Sequence, residues 1–151
     1  MKLTHAVSAM ALLLLLLPSS PVSAQATTPD LVGTWKLVSG EVAHWSGALS
    51  TMDEGAATLE VHEQRGGVFR GVMSYRNNPS GPQFEGKAGI SHDQSEVVLG
   101  VVEWDGQSII LVDYEDETVH KARLINPNLM EVVAFEPGPH AVVNRMILVK
   151  Q

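Results

Sequence analysis

The chain has 151 residues, of which 44% are hydrophobic, a formal net charge of −7 and no cysteine. This length suits one domain with a hydrophobic core and is too short for two. The basic residues are scattered and outnumbered by acidic ones, which argues against a nucleic-acid partner. The lack of cysteine excludes disulfides and thiolate metal sites.

Residues 1–24 have the pattern of a secretory signal peptide. Lys2 provides a positive start, residues 6–17 are apolar and end in six consecutive leucines, and Val22-Ser23-Ala24 resembles a cleavage site before Gln25. The apolar stretch is shorter than the roughly 20 residues that span a membrane, and no later segment is apolar enough to do so. We therefore expect a secreted or periplasmic protein with a flexible leader at residues 25–30 and one domain over residues 31–151.

Short apolar segments separated by turn residues follow from residue 31 onward. Asp105-Gly106 is the strongest hairpin signal, and Gln64-Arg65-Gly66-Gly67 predicts another tight turn. No stretch of ten residues reads convincingly as a helix. The pattern predicts an all-β fold, an antiparallel up-and-down β-barrel of eight to ten strands, with a Greek-key sandwich as the alternative. The predicted strands cover residues 31–39, 57–63, 68–75, 84–91, 95–104, 107–114, 118–125, 129–135 and 141–149.

Nine segments is an odd number, and an up-and-down barrel whose first and last strands pair antiparallel needs an even one. Eight strands result if the glycine-containing segment Phe84–Ser91 is not a full strand. Ten result if part of His44–Ser50 forms one. The surrounding stretch Gly40–Ala56 lacks clear periodicity, and it predicts a long loop over one end of the barrel.

Two central strands are apolar on both faces, as in Val97–Val102 and Ile109–Val112. One face must line the interior, so the other is either exposed or covered by a partner. Large exposed apolar patches are rare on monomers. A homo-oligomer is therefore a reasonable expectation.

Gly33-Thr34-Trp35, within the first predicted strand, resembles the opening strand of the calycin group, which contains lipocalins, fatty-acid-binding proteins and avidins. In that group the tryptophan at the barrel base packs against an arginine from the last strand, and Arg145 stands where that arginine is expected. The segment Glu103–Gln107 also resembles a hairpin of the fatty-acid-binding type. The resemblance implies a lipocalin-like barrel closed by Trp35 and Arg145, with the guanidinium within about 6 Å of the indole.

Other features of the group are missing from this sequence. The tyrosine that helps bind a fatty-acid carboxylate, two residues after the arginine, is Ile147 here. Gly40–Ala56 does not read as the helix pair of fatty-acid-binding proteins, and the disulfides common in lipocalins have no counterpart. The resemblance therefore implies a barrel without a fatty-acid carboxylate site.

The histidines after the signal peptide show no metal-ligand spacing, and positions on the protein surface explain all of them. We predict no metal and no cofactor. These histidines are His44, His62, His92, His120 and His140.

An acidic run, Asp113–Glu117, surrounds Tyr114. Carboxylates in an apolar mouth can act as general acid and base, which would suit a small barrel cyclase or isomerase. A solvated turn is the preferred interpretation. No serine or cysteine nucleophile motif and no phosphate-binding glycine loop occurs, so catalysis is less expected than binding.

The leading hypothesis is an exported lipocalin-like barrel that binds a small apolar or amphipathic molecule in its lumen. Aromatic and methionine side chains suit such a pocket. The alternatives are the cyclase or isomerase above and an envelope interaction or inhibitor-like module that acts through its loops. The predicted ligand-binding residues are Trp104, Tyr114, Tyr75, Phe69 and Met73.

Overall fold

A computed structural model of the chain describes residues 27–76, 94–115 and 117–151. Within these ranges the protein is built of β-strands and turns, and no helix occurs. The strands are β1 (Gly33–His44), β2 (Leu49–Met52), β3 (Ala57–Arg65), β4 (Val68–Tyr75), β5 (Gln94–Val102), β6 (Ser108–Asp113), β7 (Val119–Asn126), β8 (Leu129–Glu136) and β9 (Val142–Lys150).

The sheet closes on itself as an antiparallel up-and-down barrel. Each strand from β3 to β9 pairs with the next along the chain, and β1 pairs antiparallel with β9. Strands β2 and β3 both pair with β1, β2 along its second half and β3 along its first half. They therefore act as one interrupted strand, and the described residues form an eight-stranded barrel.

This count resolves the odd number of predicted segments. Strand β4 pairs directly with β5, from Val68 opposite Val101 to Tyr75 opposite Gln94. The predicted strand Phe84–Ser91 lies outside the described residues, and the barrel closes without it. The predicted all-β up-and-down barrel is confirmed.

The prediction of a long loop over Gly40–Ala56 was wrong. Strand β1 continues to His44, and β2 follows after a tight turn in which Gly47 has a φ of +85°. The second half of β1 pairs with β9 from Ser39 to His44, and a register shift separates Leu37 from Ser39. Such a bulge changes which side chains face inward, so the alternation that marks a strand is broken in the sequence although the strand continues.

The first strand closes one end of the barrel, which we call the base. Trp35 is fully buried, with 0% of its surface exposed, and its indole Nε1 donates a hydrogen bond of 2.9 Å to the carbonyl of Leu31. The backbone N–H of Leu31 in turn donates to Gln64 Oε1 at 2.8 Å. The start of the domain is thereby bound across the base.

The predicted contact of Arg145 with Trp35 was wrong, because Lys150 holds that position. Lys150 Nζ lies 5.6 Å from the centre of the Trp35 ring, within the range of a cation–π contact. The β1–β9 register places Lys150 opposite Trp35 and Arg145 opposite Glu41. Arg145 lies on the outer face, where its guanidinium binds Glu131 at 2.6 and 2.7 Å, and this carboxylate raises the pKa of Arg145.

Strands β5 and β6 are apolar on both faces, as expected from the sequence. Val98 and Leu111 face the core and are fully buried, whereas Val97, Leu99 and Val112 are exposed on the outer face. The homo-oligomer that this outer face suggested remains a prediction.

Gly71 on β4 lies so close to β3 that a side chain does not fit. A Cβ at this position would overlap the backbone carbonyl of Glu60 and lie 3.1 Å from Cα of Val61. Backbone atoms within a paired ladder cannot move aside freely. We therefore expect Gly71→Ala to lower the free energy of unfolding by about 1–3 kcal/mol or more, measured by urea denaturation. Gly67→Ala, whose Cβ would lie 3.2 Å from the carbonyl oxygen of Val102, should cost less, and equal losses would contradict the prediction.

Asp105 organises the predicted β5–β6 hairpin. Its carboxylate accepts hydrogen bonds from the backbone N–H of Gln107 and from the backbone N–H and hydroxyl of Ser108, at 2.8, 2.7 and 2.6 Å. The bond from the Ser108 hydroxyl contributes most, and together these bonds lower the pKa of Asp105 to about 2.

Because the pKa of Asp105 is lower in the folded protein, its contribution to stability is present above about pH 4, near the pKa of an unfolded aspartate. It is lost as the pH falls from about 4 towards 2. An NMR titration of the Asp105 carboxyl should have its midpoint near 2, and Ser108→Ala should raise that midpoint. A wild-type midpoint near 4 would contradict the assignment.

Candidate functional site

The inner face of the barrel changes character from one end to the other. Around Trp35 the buried side chains are apolar, and they include Leu37, Leu59 and Leu148. At the opposite end, where β6 meets β7, the buried set includes polar residues. We call this end the polar end; its buried polar residues are Asp113, Thr118 and His120.

The centre of the polar end is a pair formed by Asp113 and His120. Both are on the inner face, with 6% and 0% of their surface exposed. His120 Nε2 lies 3.0 Å from Asp113 Oδ1 and 3.1 Å from Oδ2. A carboxylate only accepts hydrogen bonds, so Nε2 carries the hydrogen and the ring is oriented by Asp113.

The other ring nitrogen of His120 has no partner. Among the described residues, buried side-chain atoms without a hydrogen-bond partner are His120 Nδ1, His140 Nδ1 and Asn144 Oδ1. Buried polar atoms in native proteins are usually paired. Unpartnered buried atoms of this kind therefore indicate a candidate ligand-binding site.

Two of these atoms lie on neighbouring parts of the sheet. His120 on β7 is opposite Ala134 on β8, and Ala134 is opposite Asn144 on β9. Asn144 alternates with the buried Met146 and Leu148, so its side chain is on the inner face. His120 and Asn144 are two strand spacings apart, roughly 10 Å between their Cα atoms. Ala134, whose side chain is a methyl group, lies between them in the same row across the sheet.

Further histidines lie at the rim of the polar end. His44 Nε2 is 3.2 Å from Ser50 Oγ, and partial burial lowers the pKa of His44, which favours its neutral form. The rings of Trp45 and His140 meet edge to face, with 5.2 Å between their centres. Within the described ranges, no three His, Cys, Asp or Glu side chains lie together as metal ligands.

The five predicted ligand-binding residues fall into two groups. Phe69, Met73 and Tyr75 share the inner face of β4 and are buried in the core. Trp104 and Tyr114 are 89% and 74% exposed, so neither lines the interior. Trp104 lies in the turn after β5, where the strand alternation has ended. Tyr114 follows Asp113 directly and keeps the outward phase of Ile110 and Val112 on β6.

The interpretation of every histidine as a surface residue was wrong for His120. The signal was present in the sequence, because His120 has the same two-residue phase as Ala122 and Leu124, which are buried.

The acidic run around Tyr114 contains both buried and exposed residues. Asp113 is buried on the inner face, whereas Glu115 and Glu117 are exposed, and Asp116 lies outside the described residues.

A groove of about 470 Å³ lies at the outer edge of the barrel, where β1 runs between β2 and β9. It is lined by residues that include Glu41, Leu49, Val143 and Arg145. Arg145 is already paired with Glu131 there. This groove is separate from the inner-face residues of the polar end.

In the part of the chain that the structure describes, no helix is long and apolar enough to cross a membrane.

Comparisons with known proteins identify similar folds without a family. No protein-family model matches the chain, and neither does any curated protein. A redesigned β-barrel superposes with a TM-score of 0.52 at 9% identity, over 80% of this chain and 91% of that one. An S-type phycobiliprotein lyase from Guillardia theta gives a TM-score of 0.47 at 12% identity, over 80% of this chain and 88% of that one.

The likeness to the redesigned barrel shows the fold alone. The described residues form a closed eight-stranded antiparallel barrel, and its function has to be argued from its own residues.

Proposed function

We propose that the protein binds a small amphipathic molecule at the polar end of the barrel interior, with the apolar part of the molecule directed towards the base. The observation that carries this proposal is the pair of buried, unpartnered atoms His120 Nδ1 and Asn144 Oδ1 on either side of Ala134. A buried polar atom without a partner costs about 1–3 kcal/mol. A ligand that hydrogen-bonds to both atoms would recover that cost.

The apolar inner face supports the same proposal. Met73 and Phe69 point into the interior from β4, and Met130 and Met146 do so from β8 and β9. Unbranched methionine side chains adapt to ligands of different shape. Polar groups at one end and adaptable apolar side chains below them match the two halves of an amphipathic molecule.

Ala134 offers a direct test of the binding position. Ala134→Leu would place a larger side chain between His120 and Asn144, and we expect it to abolish binding of N-phenylnaphthylamine, an apolar fluorescent probe with one N–H group. Binding is measured by the rise in probe fluorescence. Overpacking itself costs about 1–3 kcal/mol, so near-UV circular dichroism must first show that the variant is folded.

The matched control is Ala43→Leu, because Ala43 is exposed on the outer face of β1, opposite Val143. This variant should bind the probe as the wild type does. Equal probe binding by folded Ala134→Leu would mean that the interior near Asn144 is not the binding site. Native mass spectrometry of protein purified from its own host, with extraction of any bound small molecule, would identify the natural ligand.

A second candidate function, an isomerase, is favoured by the Asp113–His120 pair. A histidine that is oriented by a carboxylate and has a free nitrogen lone pair is suited to act as a general base, which typically contributes 10²–10⁴-fold to a rate. His120 Nδ1 would remove a proton next to a carbonyl group and return a proton to the substrate.

Deuterium exchange at the carbons beside the carbonyl of 2-decanone, followed by NMR in D₂O, tests this activity. The wild type should exceed His120→Phe by at least tenfold, with His62→Phe as a control on the exposed His62. Equal rates in all three proteins would exclude the isomerase.

We also propose that the protein acts outside the cytoplasm, as the signal-peptide pattern of residues 1–24 indicates. The intact mass of protein from the secreted or periplasmic fraction should then correspond to a chain that starts at Gln25. A full-length species confined to the cytosol would contradict this proposal.

A further inference from the structure

The hydrogen-bonding groups of the polar end determine which head group a bound ligand can have. This inference rests on the proposed binding function. Asp113 and His120 decide the hydrogen-bonding character of this end together. In the neutral tautomer with its hydrogen on Nε2, which lies 3.0 and 3.1 Å from the Asp113 carboxylate oxygens, Nδ1 of His120 has a lone pair. That atom is therefore a hydrogen-bond acceptor.

The second unpartnered atom has the same character. Asn144 Oδ1 is a carbonyl oxygen and can only accept hydrogen bonds. His120 and Asn144 thus offer two acceptors across Ala134 on one row of the sheet. A hydrogen-bond donor between them would pair with both acceptors, whereas an anionic group would meet two lone pairs and the charge of the nearby carboxylate.

We propose that the polar end selects ligands whose head group donates hydrogen bonds, such as a primary alcohol or amide, and discriminates against ionised carboxylates. His120 and Asn144 are the specificity-determining residues, and Asp113 is a positioning residue that holds the acceptor nitrogen towards the ligand.

Two ligands with the same ten-carbon chain test the proposal. Isothermal titration calorimetry of the wild-type protein with n-decanol and n-decanoate at pH 7.5, where decanoate is ionised, compares head groups at constant chain length. We expect n-decanol to bind at least tenfold more tightly. Equal or tighter binding of n-decanoate would overturn the donor selectivity and leave the proposed binding function intact. If neither ligand binds, both the selectivity and the binding function fail.

A variant assigns the selectivity to the site. Asn144→Leu removes one acceptor, and it should weaken n-decanol binding at least fivefold, while n-decanoate binding stays the same or improves. The control is Asn128→Leu, because Asn128 is exposed in the β7–β8 turn at the base. A folded Asn144→Leu protein that retains the wild-type preference for n-decanol would overturn the role of Asn144.

Discussion

Replacing Trp35 with alanine is expected to lower the free energy of unfolding by about 3–5 kcal/mol, the range for loss of a large aromatic side chain from a core. Trp35 is completely buried, donates its indole hydrogen bond to Leu31 and lies under the ammonium group of Lys150. The substitution removes the apolar area and both contacts at once. It also frees residue 31, which the indole binds to the barrel base.

Urea denaturation with tryptophan fluorescence and circular dichroism measures this loss. The control is Trp104→Ala, because Trp104 is almost fully exposed in the turn after β5, and its replacement should change stability by less than about 0.5 kcal/mol. Similar losses for the two variants would mean that Trp35 does not anchor the closed end of the barrel. Lys150→Met should cost far less than Trp35→Ala, since a cation–π contact contributes only about 0.5–2 kcal/mol.

Replacing Asp113 alone should also be costly, with a loss of about 1–3 kcal/mol for Asp113→Leu, the usual cost of leaving a buried polar group without its hydrogen-bond partner. His120 is fully buried, and Asp113 holds its Nε2 through both carboxylate oxygens. Without the carboxylate, His120 would have neither nitrogen paired. The double variant Asp113→Leu/His120→Leu should recover most of the loss, because apolar residues can replace a buried pair with little net cost.

A double-mutant cycle by urea denaturation measures this coupling. The control is Glu115→Leu, two residues from Asp113 but exposed, which should change stability little. If the losses of Asp113→Leu and His120→Leu simply add in the double variant, the two side chains are not energetically coupled. The double variant should also lose probe binding, which would link the cost of the polar pair to function.

Much of the barrel could be predicted because strand and turn signals are local. The alternation of Ala57, Leu59 and Val61 identifies β3, and Asp105-Gly106 identifies the β5–β6 hairpin. The long loop predicted over Gly40–Ala56 failed for an equally local reason. A bulge after Leu37 breaks the alternation of β1, while pairing with β9 keeps the strand extended to His44.

The candidate site could be predicted only in part, because its contacts depend on how neighbouring strands pair. The inward phase of His120 is readable from Ala122 and Leu124 on the same strand. Its contact with Asp113 is not, because the register of β6 and β7 decides which side chains meet. The β1–β9 register likewise places Lys150 over Trp35, where the resemblance to calycins had suggested Arg145.

The sequence by itself determined the all-β class, the succession of strands β3 to β9 and the turns between them, because two-residue alternation and turn residues act over a few neighbours. Only the tertiary structure decided that β2 and β3 share one edge of β1, that the barrel has eight strands, and that Asp113, His120 and Asn144 lie at the same end of its interior. The physical reason is that strand register is set by pairing and core packing across the closed sheet. A shift of one residue would turn every one of these side chains to the other face.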